Sequence, residues 1–224
     1  MLDGSPVLVQ DSTPDKSRKQ PGHSLYRNGG KRLFECTLIL LAAPVVIPLV
    51  LIFALLIACD GHNPFFVQIR IGRNGRVFRI LKLRTMVVDA EQRLAAYLDR
   101  NPKARAQWDS TQKLKNDPRI TMAGRLLRKS SMDELPQLLN VLNGTMALVG
   151  PRPMMVDQRH MYEGQSYHKM RPGITGLWQI SARNEAEFVA RVRYDEVYYR
   201  IMSLRTDLRI LARTVLVVLR GTGY

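Results

Sequence analysis

Asp133 and Glu134 stand side by side in "SSMDELPQLL", Ser130 to Leu139, at the mouth of an apolar run. Two readings compete. In the first they cap a helix. Ser131 and Glu134 have the S-x-x-E spacing of a capping box, and Asp133 in the first turn suits the helix dipole. Pro136 resists this reading, because it falls past the first turn, where it removes a backbone hydrogen bond. In the second the pair is a reaction centre. Mg²⁺ is usually held by one or two carboxylates plus substrate phosphates, where it screens a diphosphate and polarises the phosphorus. A carboxylate can itself attack phosphorus. Neighbouring side chains on a helix diverge, so one acid attacking and one holding metal fits adjacency better than a shared role.

Three basic elements could hold the phosphates. They are "KLRTM" with Lys82 and Arg84, "GRLLRKSSMDE" with Arg125, Arg128 and Lys129, and "VGPRP" with Arg152 between prolines. Arginine holds phosphate oxygens bidentately, and the flanking prolines lower the entropy lost in placing Arg152. Each of these taken singly also reads as a solvated surface cation.

Whatever positions these groups works in a strongly basic chain. The 224 residues hold 34 Lys and Arg against 19 Asp and Glu, a formal charge of +15. Its partners should therefore be anionic: nucleic acid, an anionic membrane surface or phosphorylated small molecules. Aromatics are 7%, and no groove-reading helix or stacking platform stands out, which argues against nucleic acid. Cys36 and Cys59 match no zinc spacing, and a helix between them would hold them beyond disulfide reach unless it folds back; free thiols are expected.

Met1 to about Gly30 lacks a sustained apolar period and reads as a mobile tail. Thr37 to Ala58, "TLILLAAPVVIPLVLIFALLIA", is uncharged and about as long as a membrane helix. Basic residues flank it on both sides, Lys31 and Arg32 before it and Arg70, Arg73 and Arg76 after it. A single span cannot keep both flanks cytoplasmic. A hairpin that enters and leaves by one face can, and Pro44 and Pro48 supply the break. A plain span remains the competing reading.

Phe65 to Met86 alternates apolar and basic residues around Asn74-Gly75, a hairpin signal, although the register of its second strand is not clean. Helices are expected at about Asp89 to Asp99 and Thr121 to Lys129, with a third from near Asp133. "ALVGPRP" reads as a short extended run ending in a rigid turn, and "RPGITGLWQIS" as turn plus strand. A helix opens at Asn184 with Glu187 three residues on. In the last segment Arg205, Arg209 and Arg213 form a basic stripe, and Leu208, Leu211, Val215 and Leu219 cover another face. Such a helix suits a membrane interface or an ordinary packed surface. The fold class is α+β and mainly helical, with a proline-broken re-entrant helix, a small β-hairpin and amphipathic interfacial helices around a cytoplasmic catalytic domain. The divisions are 1–30, 31–60 and 61–224.

Four ordered motifs, "FVQIRIGRNGRVFRILKLRTM", "DPRITMAGRLLRKSSMDELPQLLNVLNGTMALVGPRP", "RPGITGLWQISARN" and "YDEVYY" with "SLRTDLRIL", resemble the bacterial sugar transferases, the monotopic phosphoglycosyl transferases. The resemblance runs from about Lys31 to the C-terminus and is similar to the short exopolysaccharide-initiating members. It implies transfer of a sugar 1-phosphate, galactose or glucose, from a UDP-sugar to undecaprenyl phosphate, with release of UMP, at the start of exopolysaccharide or O-antigen assembly. It implies Asp133 as the nucleophile of a covalent phosphosugar intermediate, and Glu134, with Asp133, as the Mg²⁺ site. Lys82, Arg84, Arg128 and Arg152 would bind substrate, as would Asp195 and Asp207 of the C-terminal motif. Pro44 and Pro48 would make the membrane re-entry. The location implied is the cytoplasmic face of the bacterial inner membrane, among anionic lipids, with a homo-oligomer and downstream glycosyltransferases as further partners and no nucleic acid. Thr145, Ala147 and Ala182, before Arg183, depart from the family pattern. The rival class is a non-enzymatic basic protein bound to an anionic membrane or nucleic acid, which has no need of an acid pair among these cations.

Overall fold

The computed structural model describes residues 25–111, 114, 116–181 and 190–219. The first 24 residues of the expected tail, and the helix start at Asn184 and Glu187, lie outside them. The expected tail is too long at its inner end. Tyr26–Gly30 forms a helical turn tied down by Tyr26, whose hydroxyl donates to Asp207 at 2.6 Å. Arg27 donates to the backbone carbonyl of Arg200 at 3.0 Å.

Helix α1, Lys31–Ala58, contains both Pro44 and Pro48. The prolines do not interrupt the helix, which continues on both sides of each; a proline inside a helix can turn its axis without ending it. Each proline removes only one backbone bond, and neighbouring turns carry the helix through. The helix from Tyr26 to Ala58 is long and apolar enough to cross a membrane. Leu41, Val45, Leu51 and Leu55 on it are exposed, whereas one stripe is buried. Ile39 joins a core cluster with Ile80, Val141 and Met146. Ala54 and Ile57 join another with Leu83 and Leu127. The helix therefore packs on the same body before Pro44 and after Pro48.

Strands β1, Phe65–Ile71, and β2, Val77–Leu83, pair antiparallel from Phe65↔Leu83 to Ile71↔Val77. Asn74 (φ 59°) and Gly75 (φ 73°) take the left-handed conformations of the turn, as the Asn-Gly pair dictates. Helix α2, Ala90–Arg100, and α4, Met122–Ser130, fall where expected. Between them α3, Pro102–Thr111, is additional. Thr121 caps α4, its hydroxyl accepting from the Gly124 N–H at 2.9 Å.

The acid pair then sits in a 3₁₀ segment, Met132–Gln137, followed by the short α5, Leu138–Leu142. Strands β3, Ala147–Val149, and β4, Gly173–Thr175, pair in parallel. Only those three residues of "RPGITGLWQIS" are strand, because Leu177–Ser181 turns into helix α7. Between the strands lies α6, Ser166–Lys169. Helices α8, Arg191–Ile201, and α9, Leu204–Leu219, close the chain. Tyr198 of α8 and Ile210 of α9 join Val149 and Leu177 in a core cluster. The buried side of α9 runs through Asp207, Ile210 and Leu211. Leu208 and Val215, expected on an apolar packing face, are exposed beside the exposed Arg205, Arg209 and Arg213.

Candidate active site

The capping box does not form. Ser131 has a left-handed backbone (φ 56°, ψ 20°) and ends α4, its N–H donating back to Arg128. Its side chain makes no cap to the following turn. Pro136 is no anomaly either, since a 3₁₀ segment offers no α-helical turn to break. The turn is held against β2 by Asn140, whose side-chain amide donates to the Arg79 carbonyl at 2.7 Å and accepts from the Leu81 N–H at 3.1 Å. That bonding pattern satisfies β2 where it faces α5. It also brings Lys82 to Glu134, with Nζ–Oε1 at 2.8 Å.

Asp133 is 9% exposed. Burial pushes its carboxyl up to about 6, while the Lys82 ammonium and the Arg128 guanidinium pull against that rise. Arg128 sits beside it, with Nε donating to the Thr85 hydroxyl at 2.8 Å. Asp133 thus keeps a desolvated carboxylate between two cations, the setting in which an arriving phosphoryl group would be drawn to it.

Arg152 reaches the same place from the opposite side. Gly150 and Gly173 pass so closely that a Cβ on Gly173 would lie 2.1 Å from the Gly150 nitrogen. Only bare backbone permits this approach. It is locked by Gly173 N–H to Pro151 O at 2.8 Å and Gly150 N–H to Thr175 O at 2.9 Å.

Two cavities meet at Glu134 and Arg152. The smaller, polar one is also lined by Arg70, Lys82 and Gln137. Arg70 is held down to about 10, first by burial and then by Arg152, and Arg191, stacked 4.4 Å from the Trp178 ring, is lowered to about 10 for the same two reasons. Three guanidinium groups gathered this way repel one another and favour an anion between them. The larger cavity, about 300 Å³, runs between α1 and α9. Val46, Leu49, Leu135, Leu138, Val217 and Val218 form its apolar walls, and Thr175 and Gln179 are among its polar groups.

The structure therefore brings together Lys82, Arg128, Asp133, Glu134 and Arg152. It takes Arg84 and Asp207 elsewhere, and it sets Asp195 beside Arg191 of the cation cluster without lining either cavity. Arg84 donates to both carboxylate oxygens of Asp60 at 2.7 Å and to the Asn63 carbonyl at 2.8 Å, so it clamps the end of α1. Asp207 is fully buried and accepts from Tyr26, Lys31 and Tyr198. Lys31 also pairs with Glu35 at 2.9 Å, and Glu35 accepts the Leu148 N–H at 3.0 Å. This chain of contacts fixes the start of α1 to β3 and α9. Asp195 is buried and accepts from the Tyr162 hydroxyl at 2.7 Å, with burial pushing it up to about 7. Of the family departures, Thr145 lies within hydrogen-bond distance of the supporting Asn140 at 3.2 Å and Ala147 is buried in β3; neither is among the lining of the two cavities. Arg70 and Gln179 are the additions. Arg70 looked like one strand cation among several, and Gln179 carried no signal beyond the motif around it.

Among the described residues no group of three or more His, Cys, Asp and Glu side chains converges as a metal cage. Two adjacent carboxylates fit Mg²⁺ in its other common mode, with substrate phosphates and water completing the shell. Glu134, at the junction of the cavities, and Asp133 behind it would hold the ion.

A family description, bacterial sugar transferase, matches residues 26–221. The chain belongs to the bacterial sugar transferase family. It is 44% identical over 195 residues to the UDP-galactose-lipid carrier transferase of Erwinia amylovora, covering 86% of this chain and 41% of that protein. It is 42% identical over 195 residues to the undecaprenyl-phosphate galactose phosphotransferase of Salmonella typhimurium (strain LT2), again 86% and 41%. It is 43% identical over 196 residues to the exopolysaccharide production protein ExoY of Rhizobium meliloti (strain 1021), covering 86% of this chain and 87% of that protein. The chain thus spans about two fifths of the longer relatives and most of the shorter one.

Proposed function

We propose that the protein transfers a sugar 1-phosphate, galactose or glucose, from a UDP-sugar to undecaprenyl phosphate and releases UMP, as the first membrane step of exopolysaccharide or O-antigen assembly. The observation that carries this is the junction at Glu134 and Arg152, where a polar cleft of gathered cations meets an apolar groove beside the buried Asp133. A donor diphosphate and a lipid phosphate need those two environments within reach of one nucleophile. Family membership and the relatives' names point the same way, and they disfavour the non-enzymatic basic protein.

The Asp133 carboxylate attacks the phosphorus that bears the sugar. A carboxylate oxygen–phosphorus bond forms, the bridging phosphorus–oxygen bond breaks, and UMP leaves. An oxygen of the lipid phosphate then attacks the same phosphorus and the carboxylate departs. Lys82, Arg128 and Arg152 hold the phosphoryl oxygens and oppose the charge that builds on them. Mg²⁺, when bound at Glu134 and Asp133, screens the diphosphate and polarises its phosphorus.

The same reading puts the protein on the cytoplasmic face of the bacterial inner membrane, with α1 entering and leaving by one face. Both ends of α1 support it. Lys31 and Glu35 at the start, and Asp60 just past the end, are tied by polar contacts to one basic body, and such a body does not cross a bilayer. Exposed Leu208, Val215, Arg205 and Arg209 on α9 suit an interface among anionic lipids. The test is product analysis with a panel of UDP-sugars, with and without undecaprenyl phosphate and Mg²⁺. UMP and lipid-linked sugar phosphate are expected from one or two donors. UDP as the leaving product, or transfer indifferent to the lipid phosphate, would contradict the reading.

A further inference from the structure

Gln179 sits in the larger cavity with an amide that nothing nearby satisfies. The residue is 7% exposed. Neither Nε2 nor Oε1 has a hydrogen-bond partner among the described residues, and both atoms are buried. A buried amide left so costs free energy, and the neighbouring hydroxyls do not relieve it, because Thr175 and Thr214 bond to each other at 2.7 Å. Arg152, at the mouth of the same cavity, makes no hydrogen bond or ion pair to the described residues. The polar end therefore offers a cation and an amide to an anion.

Behind this end the walls are hydrocarbon. Val46 and Leu49 come from α1, and Val217 and Val218 from α9. The outer sides of the same two helices expose Val45, Leu51, Val215 and Leu216, so the groove continues into the surface assigned to the membrane. About 300 Å³ lies at the low end of small-ligand sites. That suits one narrow chain better than a lipid with paired acyl tails.

Resting on the proposed phosphosugar transfer, we infer that the groove between α1 and α9 is the acceptor site, taking the phosphate head and first isoprene units of a polyprenyl phosphate, with Arg152 and Gln179 on the head. The rest of the chain stays in the bilayer. The lipid phosphate then meets the acid pair from the side opposite Arg70 and Lys82, so donor and acceptor use separate approaches to one phosphorus.

The experiment is equilibrium binding of a fluorescent short-chain polyprenyl phosphate to the detergent-solubilised full chain. Displacement by undecaprenyl phosphate is expected, with none by inorganic phosphate or phosphatidylglycerol at the same concentration. Val217→Trp, which fills the groove, and Gln179→Leu, which removes the amide, should each weaken binding by about tenfold or more. If Val217→Trp fails to fold, Val46→Phe fills the groove from the other wall. In transfer assays the same variants should raise the KM for the lipid at least five times more than the KM for the UDP-sugar. Equal displacement by inorganic phosphate would reduce the site to an anion pocket, and equal displacement by phosphatidylglycerol to a general lipid groove. Either result overturns the assignment, as does wild-type affinity in the groove-filling and Gln179 variants. Because binding is read directly, a wild-type protein that binds the lipid but transfers no sugar would contradict the proposed function and leave this site standing.

Discussion

Asp133 and Asp207 are both buried acids in a basic chain, and they are provided for in opposite ways. Asp207 is fully enclosed and receives three donors, from Tyr26, Lys31 and Tyr198. Every direction from which a ligand could approach is occupied by the protein itself. Asp133 is nearly as buried, yet no side chain among the described residues donates a hydrogen bond to it. Its cations, Lys82 and Arg128, are near enough to pull on its proton but are bonded elsewhere, to Glu134 and Thr85. A buried acid whose bonding capacity is met holds the fold together. One that is desolvated and left short is held ready for a ligand.

The contrast can be broken by substitution, and the largest effect is expected at the acid pair. Asp133→Asn should lower turnover by on the order of 10³-fold or more while thermal unfolding stays at or above the wild-type temperature, since a buried charge is removed. Glu134→Gln should also lose activity, but its loss should be partly relieved by raised Mg²⁺, unlike that of Asp133→Asn. Next comes Asp207→Ala, which leaves the Lys31 ammonium short of its buried partner. A stability loss of about 3 kcal/mol is expected in denaturant melts, with kcat of the surviving folded fraction little changed. Arg152→Ala should cost on the order of 10²-fold in kcat/KM, and lysine should restore it only in part for want of the planar fork.

Asp195 sharpens the comparison through pH. Its folded value of about 7 lies above the ordinary aspartate value, so the folded state holds a proton that the unfolded chain releases. Stability from this group is greatest at low pH and falls as pH rises from about 4 to 7. Asp195→Asn should remove that slope, changing the pH 4 to pH 7 difference by about 3 kcal/mol. The smallest effect on chemistry belongs to Arg84→Ala, whose partners lie at the end of α1. It should leave the KM for the UDP-sugar close to wild type while loosening α1, seen as faster proteolysis near Asp60.

The contrast also shows what one dimension of sequence carries. The membrane-length run, the Asn-Gly turn and helices α2 and α4 were legible, because their signals are local: apolar runs and a turn pair. The acid pair and Arg152 were legible as chemistry, since adjacency and flanking prolines are themselves unusual. The capping box failed because Ser131 closes the preceding helix instead of opening the next, a choice made by packing on β2. The prolines do not interrupt α1, because turns packed on either side carry the helix past them. The pairing of Arg84 was not legible, because its partner, Asp60, lies 24 residues away in a turn that no pattern marks. Gln179 became conspicuous only when its surroundings showed that nothing answers its amide.

One paired measurement bears most directly on the division of the acids. Pre-steady-state UMP release is followed after mixing enzyme with UDP-sugar and Mg²⁺, with no lipid present, for wild type, Asp133→Asn and Asp207→Ala, alongside the melting temperature of each. The account predicts a burst of about one UMP per folded enzyme for wild type. It predicts no burst and a retained melting temperature for Asp133→Asn, and a burst scaled to the folded fraction with a lowered melting temperature for Asp207→Ala. A full burst in Asp133→Asn would contradict it, because another group would then be making the bond to phosphorus.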